Sequence, residues 1–294
     1  MTNFFAVFRE GEDLPHIYEV VGNEMQLIDR RSHKASVNGG DQVAIVETLE
    51  RQLISKPNAP LRVERIEISL GTYHPSIGRP LYPDTRNLLV PNSDDEIAHA
   101  KSVWRELDLV SKDLEQCFNV NSLDERNYHS YGIQYERIIL FCCIGIESLF
   151  RKIYVANGVG RARLTMNDYV KLKVHLRLSG YGLSLVRYPW ISNIFPFAGW
   201  ESERPSESLP WLSAYNSLKH DKKSNEHLAS MKNALWAFAG YYTVAYAALA
   251  KNLFPGFLST DYYFHIDERP KWDVGEFYFK TDDEVWRPLA LTLD

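Results

Sequence analysis

Apolar residues recur at intervals of three and four through the middle of the chain, a spacing typical of helices that bury one face. The first helix is predicted to begin at a capping box, Ser93 to Glu96, whose serine and glutamate side chains satisfy unpaired backbone amides. The second, Glu136 to Tyr154, is apolar on most sides and is therefore expected at the centre of a bundle. Two more helices follow, one that begins at Ser206 or Ser208 and one that spans Glu226 to Leu253.

Alternating apolar and polar residues at the two ends of the chain predict short strands. At the N-terminal end these are Phe4 to Phe8 and Val63 to Leu70, with a helical pattern over Gln42 to Ile54 between them. The C-terminal candidates are Tyr262 to Ile266, Glu276 to Lys280 and Val285 to Pro288. The predicted fold class is therefore α+β and mainly α, a helical bundle with small β elements at the N- and C-terminal ends. A further hypothesis is that strands from both ends pair in one sheet.

A loop rich in proline and glycine separates the first strands from the bundle. Residues 71–91 hold four prolines and two glycines, which indicates a boundary. We divide the chain into a mixed α/β segment over 1–92, a helical bundle over 93–255 and a β-rich tail over 256–294. Residues 159–206 interrupt the helical pattern and are predicted to be an insertion or an irregular cap.

The least polar stretch, Ala234 to Ala250, raises the question of a membrane span because none of its 17 residues is charged. A spanning helix needs about 20 predominantly apolar residues. This stretch is shorter, contains Gly240, Thr243 and three tyrosines, and repeats its strongest apolar residues every three or four positions. We therefore predict a buried bundle helix and no membrane association.

Composition narrows the class of protein further. Hydrophobic residues make up 45% of the chain and charged residues 24%, near the averages for soluble globular proteins. The net charge of -5 gives no general attraction to nucleic acid, so such a partner needs a local basic patch. Adjacent Cys142 and Cys143, with Cys117 apart, favour reduced thiols and a cytoplasmic protein. Without a glycine-rich phosphate loop or metal-ligand spacing, the sequence predicts no cofactor and no metal.

Polar residues are concentrated over residues 210–223, where one predicted helix reaches its end. Asn216 and His220 stand four residues apart, so they lie one helical turn apart on the same face, with Lys219 beside them. We interpret this cluster of an amide, an imidazole and an ammonium group at a helix end as a site for an anion or a nucleic acid.

The segment Tyr215-Asn216-Ser217-Leu218-Lys219-His220-Asp221, with the helices over 136–154 and 226–253, resembles the HEPN superfamily of helical bundles across about residues 93–255. Many members are RNA-cutting toxins or nucleotide-binding partners in prokaryotic defence, toxin–antitoxin and stress systems. Asn216 and His220 match the polar and histidine positions of the nuclease motif, and Tyr215 stands at its arginine position. The resemblance implies a homodimer with composite sites, an RNA or nucleotide ligand, and a protein partner encoded nearby. The aromatic residues of 188–200 also favour an interface.

Three interpretations of the cluster follow. In the first, the chain is a HEPN-like cytoplasmic binding or assembly protein with an RNA- or nucleotide-binding cleft at Asn216 and His220. In the second, it is a metal-independent endoribonuclease in which His220 is the general acid or base and Asn216 orients it or holds phosphate. Lys219, Lys222 or Lys223 then stabilises the phosphate charge in place of the arginine. In the third, the chain is a structural partner of another enzyme. Asn216 and His220 then only tie neighbouring helices together, with Asp221 fixing the tautomer of His220.

Basic residues supply the predicted nucleic-acid contacts. The run Arg151 to Arg177 contains seven lysines and arginines against one acid, and Tyr154 and Tyr169 offer stacking faces. The alternative is that these charges cover a solvated helix face. The predicted nucleic-acid-binding residues are Tyr215, Lys222, Lys223, Arg161, Arg163, Lys171 and Lys173.

Two carboxylates, Glu136 and Glu147, lie in the most apolar helix, where a buried carboxylate must be paired or protonated. We expect them to pair with cations such as Arg137, Arg151 or Lys219. Their eleven-residue separation on a helix corresponds to roughly 16 Å, too far to share a proton or a metal ion.

Overall fold

The computed structural model describes residues 2–8, 15–28, 30–37, 44–48, 62–79, 81–82, 94–160, 163–249, 263–279 and 285–292. Its helices and antiparallel strands confirm the predicted α+β class. The chain forms two compact units, called here the sheet unit and the helical unit. The sheet unit consists of Met1–Tyr73, Arg79–Leu88 and Trp272–Arg287, and the helical unit consists of His74–Gly78, Leu89–Lys271 and Pro288–Asp294.

The sheet unit contains a five-stranded antiparallel sheet in the order β4-β3-β2-β1-β5. The strands are β1 Thr2–Phe8, β2 His16–Val21, β3 Glu24–Leu27, β4 Arg30–Ser36 and β5 Arg62–Ile66. Alternate residues of β1 face opposite sides, so Phe5 packs with Val20 and Met25 while Ala6 packs with Ile17. A short helix α1, described over 44–48, adds Ile45 to the first of these clusters.

The sequence pattern predicted two neighbouring strands of this sheet, β1 and β5, and missed the other three. β1 and β5 overlap the predicted segments Phe4 to Phe8 and Val63 to Leu70, but β2, β3 and β4 were not expected. β3 and β4 are rich in polar and charged residues, and β3 follows β2 through a tight turn in which Gly22 has a φ of +60°. These strands are therefore identified more clearly by their pairing in the sheet than by an alternation of apolar and polar residues in their sequences.

Strands from the two chain ends do meet, but not in this sheet. β10 Tyr278–Phe279 pairs in parallel with β7 Leu81–Tyr82. β11 Arg287–Pro288 lies beside β6 Thr72–Tyr73, where the amide of Arg287 donates to the carbonyl of Gly71 at 2.6 Å. The hypothesis of one common sheet is therefore wrong, because these short strands form separate two-stranded ribbons.

The helical unit is built on four long helices. They are α2 Asp94–Val120, α3 Ile133–Ala156, α6 Pro210–His220 and α7 Met231–Leu249. α3 packs against α7 at the centre, and α2 and α6 each contact both of them. The helices predicted from the apolar periodicity are thus present, with the last one preceded by a separate 3-10 turn, Lys223–Leu228.

The contact between α3 and α7 is close at Gly145 and Tyr241. A Cβ atom placed on Gly145 would lie 2.5 Å from Cζ of the Tyr241 ring. The Tyr241 hydroxyl donates to Oε2 of Glu106 on α2 at 2.6 Å. Burial, followed by the contact with Glu106, raises the pKa of Tyr241 well above its ordinary range. The hydroxyl therefore remains a hydrogen-bond donor that joins α2 to α7.

α7 is buried along almost its whole length, as expected for a central bundle helix. Within the described ranges, no helix is long and apolar enough to cross a membrane. The thiols of Cys142 and Cys143 are buried and that of Cys117 is half-buried, and none of the three forms a disulfide.

The segment between α3 and α6 packs into the core of the helical unit. It includes α4 Met166–Tyr169, α5 Leu172–His175 and β8 Gly182–Leu185, and β8 pairs antiparallel with β9 Phe264–Glu268. Phe197 and Trp200 are buried there, and the Trp200 indole donates to the carbonyl of Pro205 at 2.9 Å. Because these rings fill the chain's own core, they are not evidence for a dimer interface.

Candidate functional site

The candidate site lies on the outer face of α6. The helix begins with a proline at its first turn, where a missing amide costs no hydrogen bond. Trp211, Tyr215 and Leu218 are buried on its inner face, whereas Asn216 is half-buried and His220 is exposed. The sequence therefore predicted correctly that Asn216 and His220 share one face of a helix.

Asn216 and His220 differ in how strongly the protein holds them. The Asn216 side-chain amide donates to the carbonyl of Ser206 at 3.2 Å, which anchors the loop before α6. Among the described residues, no hydrogen bond reaches the His220 imidazole. Asp221 does not orient it, because its Oδ1 accepts the amide of Ser224 at 3.2 Å. Hydrogen bonds from the Ser224 side chain and then from its backbone lower the pKa of Asp221. The expectation that Asp221 fixes the tautomer of His220 is therefore corrected.

Tyr215 is not the stacking surface that the sequence suggested. It is 2% exposed, so a nucleic-acid base cannot reach its ring. Burial and the nearby carboxylate of Glu147 raise the pKa of its hydroxyl. Lys219 lies over this ring, with Nζ 5.3 Å from the ring centroid and 3.4 Å from the hydroxyl oxygen. Tyr215 thus positions Lys219, a role that the sequence analysis did not anticipate.

Lys222 is bound within the protein. Its Nζ lies 2.9 Å from Oε1 of Glu136, a buried carboxylate on α3. The expected partners of Glu136 were Arg137, Arg151 or Lys219, so this assignment is corrected to Lys222. Lys223 is exposed and forms no ion pair among the described residues.

The direction of α6 changes one interpretation of the site. Lys219 and His220 lie in the last turn, at the carbonyl end of the helix. That end carries the negative pole of the helix dipole and favours cations. The helix end itself therefore does not attract an anion, contrary to the expectation, and any anion contact must come from side chains.

One residue of the basic run, Lys173, contacts the same loop as Asn216 of α6. Arg161 lies outside the described residues, Arg163 is exposed, and Lys171 is half-buried. Lys173 donates to the carbonyl of Trp200, while Asn216 binds Ser206, so the 200–208 loop contacts both groups. This loop carries three exposed carboxylates: Glu201, Glu203 and Glu207.

Two further residues of the predicted nucleic-acid surface are unsuitable for base stacking. Tyr154 and Tyr169 are buried against each other, with ring centroids 6.2 Å apart. The Tyr154 hydroxyl donates to the carbonyl of Asp168 at 2.6 Å. Both tyrosines therefore belong to the core, and the basic run offers charge without an aromatic platform.

No protein-family model, curated protein or solved structure matches this chain. The functional argument therefore rests on the geometry of α6, and the HEPN resemblance stays a hypothesis carried by residues 215–221 and the helices around them.

Proposed function

We propose that the exposed end of α6 binds a small phosphate-bearing ligand, a nucleotide or the end of an RNA, in a HEPN-like cytoplasmic binding or assembly protein of a prokaryotic defence or stress system. One observation carries this proposal. Lys219 and His220 in the last turn of α6, and Lys223 in the turn that follows it, are exposed, and within the described residues none of the three is paired with a carboxylate.

Each of these side chains supplies a different contact to the ligand. Lys219 and Lys223 supply positive charge, and the imidazole of His220 supplies a hydrogen-bond donor to a phosphate oxygen. The Asn216 nitrogen is engaged with Ser206, which leaves the amide oxygen to accept from a ribose hydroxyl or a base.

The acidic 200–208 loop limits the size of this ligand. Glu201, Glu203 and Glu207 are exposed on the loop that contacts Lys173 and Asn216, and Arg204 pairs with Glu201 at 2.8 Å. The carboxylates of Glu203 and Glu207 form no ion pair among the described residues, and like charges repel a phosphate backbone. A long strand that follows both the basic run and α6 would have to cross this loop. A short ligand at the Lys219 and His220 end of α6 does not have to follow the loop along its length, which is why we favour a nucleotide or an RNA end over a continuous RNA strand.

Calorimetric titration with ribonucleotides and with a short RNA tests the proposal. We expect saturable binding that weakens by about tenfold in Lys219→Met and in His220→Ala, because each loses one charge-assisted contact. His227→Ala removes an exposed histidine of the neighbouring 3-10 turn and serves as the matched control. Equal affinity in wild type, Lys219→Met and His220→Ala would exclude α6 as the binding site.

Metal-independent RNA cleavage is the second candidate function. The imidazole of His220 is solvent-accessible, so a substrate can reach it, as a general acid or base requires. Stabilisation of the phosphate charge is the weaker element of this function. Tyr215, at the arginine position of the motif, is buried, and Lys222 is bound to Glu136. Cleavage that survives EDTA, leaves 2′,3′-cyclic phosphate ends and falls about 100- to 10,000-fold in His220→Ala would support this function. Wild-type protein that leaves RNA intact, alone and with proteins encoded nearby, would exclude it.

A homodimer remains part of the proposal. Its support is the outer face of α3, where Ile133, Phe141 and Ile144 are exposed on a single helix. Exposed apolar patches of this kind are common at protein interfaces. Light scattering at tens of micromolar is expected to give twice the chain mass, and Phe141→Lys is expected to give the monomer. Wild-type protein that scatters light as a monomer at this concentration would exclude the homodimer.

A further inference from the structure

The sheet unit contains a cluster of aromatic rings built from three separate segments of the chain. Tyr73, Tyr278 and Trp286 pack edge to face, with ring centroids 6.1 to 6.5 Å apart. The guanidinium carbon of Arg79 lies 5.3 Å from the ring centroid of Trp272 and 6.0 Å from that of Tyr278. These rings hold the guanidinium in place, since arginine stacks readily on aromatic faces.

Arg79 has no acidic partner in this cluster. Its Nη1 donates to the backbone carbonyl of Glu276 at 3.4 Å, and no carboxylate pairs with it among the described residues. Its Nε is buried and donates to nothing in the described structure. The Arg79 side chain as a whole is half-buried, and an unsatisfied buried donor such as its Nε costs free energy.

A second donor against the same ring is also unsatisfied. The indole Nε1 of Trp286 is buried and lacks an acceptor in the described structure. The Trp286 ring and the Arg79 guanidinium both lie against Tyr278, at 6.4 Å and 6.0 Å from its centroid. Two unsatisfied N–H donors therefore occur within one aromatic cluster.

The arrangement of the guanidinium indicates which ligand fits. Arginine binds a carboxylate or phosphate most strongly when two parallel N–H groups meet two oxygens. The bond from Nη1 to Glu276 uses one side of the group, and the edge formed by Nε and Nη2 has no protein acceptor among the described residues. That edge is the one that accepts an oxyanion side-on.

We propose that Arg79 and Trp286 form an oxyanion-binding site in the sheet unit. The Nε and Nη2 groups of Arg79 bind two oxygens of a carboxylate or phosphate, and the Trp286 indole donates to the same ligand. The side chains of Trp272 and Tyr278 keep the guanidinium in the orientation that this contact requires. The site is independent of the function proposed for α6.

Nuclear magnetic resonance of the full chain labelled with ¹⁵N-tryptophan tests this site, because the Trp286 indole signal reports a new hydrogen bond directly. Trp286→Phe identifies that signal among those of the seven tryptophans. Titration with inorganic phosphate and, separately, acetate is expected to shift it saturably. The stronger of the two ligands shows whether the natural group is a phosphate or a carboxylate.

Matched variants separate this site from general charge effects. Arg79→Lys keeps the charge but loses the fork and is expected to weaken binding at least tenfold, roughly 1.4 kcal/mol. Arg62→Lys is the control, because Arg62 also stacks on a ring, that of Phe8, but is exposed and paired with Glu64. Lys219→Met is expected to leave the Trp286 shift unchanged.

Two results would overturn the proposal. One is the absence of a saturable Trp286 shift with both phosphate and acetate. The other is an Arg79→Lys protein that binds like wild type. If Arg79→Lys unfolds, calorimetry of Trp286→Phe decides instead: weaker oxyanion binding than wild type supports the site, and equal binding overturns it.

Discussion

The ammonium group of Lys222 lies 2.9 Å from Oε1 of Glu136, which joins the turn after α6 to the central helix α3. Glu136 is buried and Lys222 is half-exposed, so the carboxylate depends on this one cation for compensation among the described residues. The pair also fixes the position of the segment that carries Lys219, His220 and Lys223.

Lys222→Met should destabilise the protein although it changes a half-exposed lysine. The Glu136 carboxylate would remain buried without its partner, and we expect the free energy of unfolding to fall by about 1 to 3 kcal/mol. Urea unfolding measures this change. Lys223→Met alters a neighbouring exposed lysine and should stay within about 0.5 kcal/mol of wild type. Equal stability of both variants would contradict the structural role of the pair.

Gly145→Ala tests the close contact between α3 and α7. The added methyl group would meet the Tyr241 ring at 2.5 Å, and the bond from Tyr241 to Glu106 resists movement of the ring. Overpacking costs about 1 to 3 kcal/mol, partly offset by the better helix propensity of alanine at about 1 kcal/mol. We therefore expect thermal unfolding to show a net loss of stability.

Gly160→Ala is the matched control for this substitution, because no atom lies within 4 Å of a Cβ built at Gly160. Its stability should remain close to that of wild type. A Gly145→Ala protein as stable as the Gly160→Ala protein would show that the helices separate easily at this point.

The burial of His99 leads us to predict that the free energy of unfolding depends on pH. Its Nε2 is buried without a hydrogen-bond partner in the described structure. Burial and the charge of Lys152 lower the pKa of His99 below its ordinary 6.5, against a smaller opposing effect of Glu106. The unfolded chain thus binds a proton at a higher pH than the folded one. Stability is fully present above pH 6.5 and decreases as the pH falls through the folded pKa.

The contribution of His99 can be isolated by measuring urea unfolding on both sides of pH 6.5. His99→Gln should lose less stability than wild type on acidification, because the titrating group is gone. His129→Gln changes an exposed histidine and should follow wild type. Identical pH profiles for wild type and His99→Gln would refute this assignment.

The sequence predicted the parts of the structure that depend on local pattern. The long helices were recognisable because their apolar residues repeat over many turns, and the outward direction of Asn216 and His220 follows from their spacing. Tyr215 was misassigned because it adjoins Asn216 in the sequence but lies on a different face of the helix. Only its packing against α3 shows that this face is buried.

Contacts between residues far apart in the sequence could not be predicted in this way. Several lysines were plausible partners for Glu136, and the choice of Lys222 depends on how the turn after α6 folds back on α3. The aromatic cluster around Arg79 is another such case, because its rings come from segments at residues 73, 272–278 and 286. No periodicity connects those segments.

The most direct test of the central claim is the response of the His220 imidazole to a nucleotide, followed by nuclear magnetic resonance of protein labelled in its nine histidines. His220→Ala identifies the signal, and the exposed His227 is an internal control. The account predicts a saturable shift at His220 that is lost in Lys219→Met, with little change at His227. A nucleotide that leaves His220 unchanged at saturating concentration, or that shifts His220 and His227 equally, would contradict a binding site at the end of α6.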